Sequence, residues 1–125
     1  MKILIIDDDQ MIVDVWTVVL KENGYDVLTA GNGKEGISQA KEHMPDLVLL
    51  DEIMPDMLGN EVLTTLKGDP QTTIIPIAIV SNYSEGQLMQ EAIRQGAVDY
   101  ILKYQVDPQD LVNKIKSFLQ DKKPV

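Results

Sequence analysis

The chain has 125 residues, enough for one domain with a single core, and its 44% hydrophobic and 25% charged residues are ordinary for a soluble globular protein. It contains no cysteine, which excludes disulfides, thiolate metal sites and cysteine nucleophiles, and its net charge of -9 argues against a nucleic-acid surface. Its apolar runs are far too short for a membrane span, and "MKILIIDDDQ" meets three acids too early for a secretory signal, so a cytoplasmic location is the expectation.

Short, near-continuous apolar runs alternate with helix-like stretches. The first run, Ile3 to Ile6, ends in Asp7, Asp8 and Asp9, and Asp9 suits the N-cap of the first helix better than metal binding. That helix carries Met11, Ile12, Val13, Val15, Trp16, Val18, Val19 and Leu20, more than one apolar stripe requires. Part of this is core; for the remainder, crowded core packing is the favoured reading and an exposed partner patch of Met11, Val13 and Val18 is the alternative. Gly24 should stop the helix.

The second run, Tyr25 to Ala30, leads into Gly31-Asn32 without comparable chemistry, as an edge strand would. Asn32 with Glu35 forms a capping-box pattern for the second helix, and the sole histidine, His43, falls near its end, where it complements the helix dipole. The third run, Leu47 to Leu50, ends on Asp51, and Met54-Pro55 then breaks the chain. Gly68 marks the end of the third helix.

The fourth run, Ile74 to Val80, is followed by Ser81 and Asn82, and Ser84 with Gln87 repeats the capping pattern before a helix that should stop at Gly96. The fifth run, Val98 to Leu102, ends on Lys103. Asp107-Pro108, with Asp110 in the first turn, opens the last helix, and the tail after residue 121 is expected to be disordered.

Apolar runs of this kind belong to parallel strands covered on both faces, so the pattern predicts an α/β, doubly wound (βα)5 sandwich of three layers. In such a sheet the strand carboxyl ends form the ligand-binding edge. Asp7, Asp8, Asp51, Ser81 and Lys103 would therefore share one rim. Two carboxylates at about 4 Å repel by roughly 4 kcal/mol at an effective dielectric near 20. A hard divalent cation held by oxygen relieves that repulsion, and Mg²⁺ suits one or two carboxylates with waters and a phosphate.

At this point the chain resembles the receiver domain of two-component response regulators. "ILIIDDD", "PDLVLLDEIMP", "IVSNY" and "VDYILK" match that family's acidic pair, phospho-acceptor, hydroxyl and lysine motifs, in order. The resemblance implies one receiver domain over residues 1–121, with flavodoxin-like strand order 2-1-3-4-5. It implies that Asp51 accepts a phosphoryl group from a phosphohistidine on a histidine kinase or histidine phosphotransfer protein. Mg²⁺ (or Mn²⁺) would be held by Asp7, Asp8, Asp51 and the Ile53 backbone carbonyl, with Asp7 acting mainly through water. Ser81 and Lys103 would contact the phosphoryl group, and Tyr100 would change rotamer with the surface of the last two helices and the strand between them. That surface would address a downstream effector or a fused output domain.

Two positions depart from the family pattern. Tyr104 stands where proline usually follows the lysine, and a cis Lys103-Tyr104 bond would cost about 2.5–4 kcal/mol, so a trans bond and a reshaped loop are expected. Asn82 stands where a smaller residue is usual, which suggests slow loss of the phosphoryl group. Among other functions, a phosphorylation-independent interaction module keeps some room through Tyr104. A hydrolase with an aspartyl-phosphate intermediate is disfavoured by Ile53, where a second acid would sit, and a flavin binder by the acidic first turn "DDDQ".

Overall fold

The computed structural model describes residues 1–82 and 86–120. The elements are β1 (Lys2–Ile6), α1 (Gln10–Glu22), β2 (Asp26–Ala30), α2 (Gly33–His43), β3 (Leu47–Asp51), α3 (Gly59–Gly68), β4 (Ile77–Ser81), α4 (Gly86–Arg94), β5 (Asp99–Leu102) and α5 (Pro108–Gln120). The strands form one parallel sheet in the order β2-β1-β3-β4-β5, which places β2 and β5 at the edges and β3 in the centre.

The unbroken apolar runs follow from two-sided burial. Leu4, Ile6, Val48, Leu50, Ile77 and Ile79 face α2, α3 and α4, whereas Ile3, Ile5, Leu47, Leu49, Ala78 and Val80 face α1 and α5. Alternate side chains thus enter different cores, and neither face of the three central strands can be polar.

The caps agree with the sequence in most places. Asp9 accepts from the Met11 and Ile12 amides at the start of α1, and Asp107 accepts from the Asp110 amide at the start of α5. Asn32 accepts from the Glu35 amide, but the Glu35 carboxylate turns to the Gly31 amide, so only half of the capping box forms. Gly24 and Gly96 have positive φ just beyond α1 and α4. The capping role expected of Ser84 lies outside the described residues, as does the tail from residue 121 onward.

Two expectations need correction. In the patch alternative Val13 is misplaced: it belongs to the core with Ile12, Trp16 and Leu20, as crowded packing requires, and the exposed stripe of α1 is Met11, Val15 and Val18. The spacing explains this: positions 13, 16 and 20 share one helical face, and 11, 15 and 18 share another.

The second correction is the start of the fourth strand. Asp69-Pro70 opens a turn in which Asp69 accepts from the Gln71 backbone amide through its carboxylate and from the Thr72 and Thr73 amides through its carbonyl. Lys67 then donates to the Thr73 and Ile75 carbonyls. These bonds hold Ile74 in a turn, 72% exposed, while Ile75 plugs the core at 1%, and pairing begins after Pro76. Accordingly, Ile75→Ala should lower unfolding stability by about 2–4 kcal/mol while Ile74→Ala stays within about 0.5 kcal/mol. Chemical denaturation of both variants measures this, and equal losses would place Ile74 in the strand after all.

Candidate functional site

The parallel register brings the site together. Ile6 pairs with Leu50, so Asp7 and Asp51 leave neighbouring strands at adjacent levels. Asp51 pairs with Val80 and Ser81 with Leu102, which puts Ser81 and then Lys103 at the same carboxyl edge. The Lys103 amide donates to the Ser81 carbonyl at 2.9 Å and extends that edge by one rung.

Lys103 lies between two acids. Its Nζ is 2.8 Å from Asp7 Oδ2 and 3.1 Å from Asp51 Oδ1, and all three side chains are buried. Burial alone would push the Lys103 pKa down, but the bonds and charges of Asp7 and Asp51 outweigh it and raise the value. Asp7 also accepts from the Asp9 amide at 2.9 Å. Asp8 stands exposed at the rim, and one carboxylate oxygen from each of Asp7, Asp8 and Asp51 lies within 4.8 Å of the others.

The cleft above them, about 170 Å³, is lined by Asp8, Asp9, Asp51, Glu52, Ile53, Ser81, Asn82 and Lys103. Burial, then the Asp7 charge, push Asp51 up to about 7, against the pull of Lys103. One ammonium cannot balance three carboxylates. An all-oxygen cluster with surplus negative charge is the donor set of a hard divalent cation, so these residues fit Mg²⁺.

Tyr100 is buried on the α3 and α4 side, and its hydroxyl donates to Glu52 Oε2. His43 ends α2 with an exposed ring, 3.9 Å from Glu42 and away from the cleft. No cis peptide occurs among the described residues, so Lys103-Tyr104 is trans as expected. Turns carry the chain onward through Gln105 and Val106 amides that donate to the Leu102 carbonyl. The exposed Tyr104 ring reaches back so that its hydroxyl donates to Asp9 Oδ2 at 3.0 Å, a contact across 95 positions that only the folded chain reveals.

Three further residues near the site escaped the sequence reading. Glu52 is the partner of Tyr100. Asp56, after Pro55, accepts from the Gly33 and Lys34 amides at 2.8 and 2.9 Å, so the loop after β3 caps α2. Those bonds, the one from Lys34 foremost, hold its carboxyl below the usual range. Gly59 donates to the Glu52 carbonyl at 2.7 Å, and a Cβ there would sit 2.2 Å from the Asp51 carbonyl oxygen. Glycine one turn past a helix-breaking proline was the available signal, but nothing local marks its close approach to β3.

A doubly wound parallel sheet with an acid cluster and one buried lysine at its carboxyl edge defines a flavodoxin-like α/β protein with a cation-compatible cleft. Comparison with known proteins narrows that class: the response regulator receiver domain matches residues 3–116, and the chain belongs to that family. Protein PilH of Pseudomonas aeruginosa is 36% identical over 118 residues, covering 94% of this chain and 97% of PilH. The DNA-binding response regulator MtrA of Mycolicibacterium paratuberculosis is 32% identical over 119 residues, which are 95% of this chain but 51% of MtrA. A CheY-like receiver domain from Methanospirillum hungatei, solved by crystallography, superposes with a TM-score of 0.89 at 32% identity, covering 96% of this chain and 94% of that one.

Two outcomes follow from this geometry. An unstrained helical Gly→Ala change gains about 1 kcal/mol, but backbone overlap at residue 59 outweighs it, so Gly59→Ala should destabilise by about 1–3 kcal/mol on denaturant unfolding. Asp51 has a folded pKa above its unfolded value, so the folded state binds the extra proton between about pH 4 and pH 7 and loses that stabilisation as pH rises through this window. Asp51→Asn should thus gain stability over wild type on the order of 4 kcal/mol as pH rises from about 4 to 8, and Mg²⁺ should narrow the difference. A difference flat with pH would contradict the raised value.

Proposed function

We propose that this receiver domain is a phosphorylation switch that takes a phosphoryl group from a phosphohistidine onto Asp51. The supporting observation is the Asp51 carboxylate at a rigid strand end, 3.1 Å from the Lys103 ammonium and within reach of the Asp7 and Asp8 oxygens. Phosphoryl transfer needs positioning and charge stabilisation more than covalent chemistry from the protein, and this cleft supplies both.

The ionised Asp51 attacks in line. A carboxylate oxygen forms the new O–P bond as the N–P bond of phosphohistidine breaks, and the imidazole leaves with the bonding pair and a proton from solvent. The Lys103 ammonium turns from Asp51 to a phosphoryl oxygen while keeping its bond to Asp7, and the Ser81 hydroxyl donates to another. Asp7, Asp8, Asp51 and the Ile53 carbonyl would hold Mg²⁺, which would supply positive charge to neutralise the phosphoryl oxygens. Water attack at phosphorus later breaks the Asp51 O–P bond, which releases inorganic phosphate and restores the carboxylate.

The donor is a histidine kinase or a histidine phosphotransfer protein in the cytoplasm, and the chain assists only its own phosphorylation and dephosphorylation. Tyr100 and Ser81 carry the change to the α4-β5-α5 surface. Met89, Ile93 and Val98 expose apolar area there for a protein effector or a fused output domain.

With Mg²⁺ and acetyl phosphate, mass spectrometry should find one phosphate on Asp51 and none on Asp51→Asn; an unmodified wild-type chain refutes the assignment. Asn82 lines the cleft where water must approach, so Asn82→Ala should lose its phosphate several-fold faster. An unchanged half-life, followed by radiolabel release, would remove Asn82 from that role.

A further inference from the structure

Glu52 occupies the wall between two cavities. On one side is the Asp51 cleft, and on the other is an apolar groove of about 380 Å³ between α3 and α4, lined by Leu63, Ile79, Leu88 and Ala92. Its backbone has no freedom: the amide donates to the Val80 carbonyl at 3.1 Å and the carbonyl accepts from Gly59 at 2.7 Å. Only side-chain torsions decide which cavity receives the carboxylate. Tyr100 decides the matter, because its buried hydroxyl donates to Glu52 Oε2 from the groove side.

We propose that Tyr100 is a positioning residue that parks the Glu52 carboxylate in the α3–α4 groove, away from the site where Asp51 receives an anionic phosphoryl group. This rests on the reading of Asp51 as phosphoryl acceptor. The cleft already holds Asp7, Asp8 and Asp51 around one lysine. A further carboxylate turned into it would oppose a phosphoryl dianion directly. Rotation of Tyr100 out of the groove would release Glu52, so the tyrosine controls the charge of the cleft as well as the shape of the surface. A buried phenol needs an acceptor and a carboxylate is the strongest available, which fixes both partners at once.

The test is a double-mutant cycle on the full chain with Mg²⁺ and beryllofluoride, a phosphoryl mimic, with affinity read by titration calorimetry. A unit charge at about 8 Å through a partly aqueous medium changes affinity roughly 5-fold. Tyr100→Phe should weaken beryllofluoride binding by that factor, and the double variant Tyr100→Phe, Glu52→Gln should return to wild-type affinity or better. A double variant as weak as Tyr100→Phe alone would mean lost packing and overturn the parking role. So would a Tyr100→Phe chain that binds as wild type does.

A second readout needs no ligand: the ¹³Cζ signal of Tyr100 in the metal-free chain should move on Glu52→Gln, and a stationary signal overturns the proposal. If wild type binds no beryllofluoride while the Tyr100 signal does move, the acceptor reading fails, and the charge-control role fails with it, although the hydrogen bond stands.

Discussion

A buried lysine shared by two buried aspartates is the constraint around which this molecule is arranged. Lys103, withdrawn from water, would cost several kcal/mol if left unpaired. Asp7 and Asp51 meet it at 2.8 and 3.1 Å, and each acid would in turn be costly without the ammonium. The three groups come from β1, β3 and the end of β5, so the pairing demands the strand order and the register together. A slip of one residue in any of the three ladders would turn a charged side chain into one of the two apolar cores.

The same arithmetic leaves the cleft short of positive charge. Asp8 adds a third carboxylate at the rim, and the surplus creates the demand for a divalent cation. Structure and reactivity are thus two aspects of one imbalance. The acids hold the lysine in place, and the lysine with a cation would hold an incoming anion. The raised proton affinity of Asp51 expresses that imbalance in the metal-free chain.

Around this centre the loops are clamped by backbone contacts. Asp56 ties the loop after β3 to the start of α2, and Gly59 brings α3 against the Asp51 carbonyl so closely that no side chain fits. Tyr104, in place of the family's usual proline, bonds to the α1 cap residue Asp9 and links the loop after β5 to α1. Asp51 stands on a fixed peptide. Beside it, on the α3 and α4 side, Tyr100 and Glu52 are joined through their side chains.

The amino-acid sequence by itself determined the alternation of strands and helices, the two-sided burial of the sheet, most helix caps and the acids, hydroxyl and lysine at the strand ends. These are local properties, written in periodicity, capping residues and the residue after each apolar run. It placed the fourth strand too early because Ile74 and Ile75 look alike as apolar residues, although one lies in a turn and one in the core. It left Val13 open between core and surface because an over-apolar helix does not state which face meets the sheet. Only the tertiary structure decided that Lys103 sits between Asp7 and Asp51, that Tyr100 reaches Glu52, and that Gly59 touches β3. The contacts span 8 to 96 positions along the chain, and their distances are set by strand register and helix docking, which no local pattern encodes.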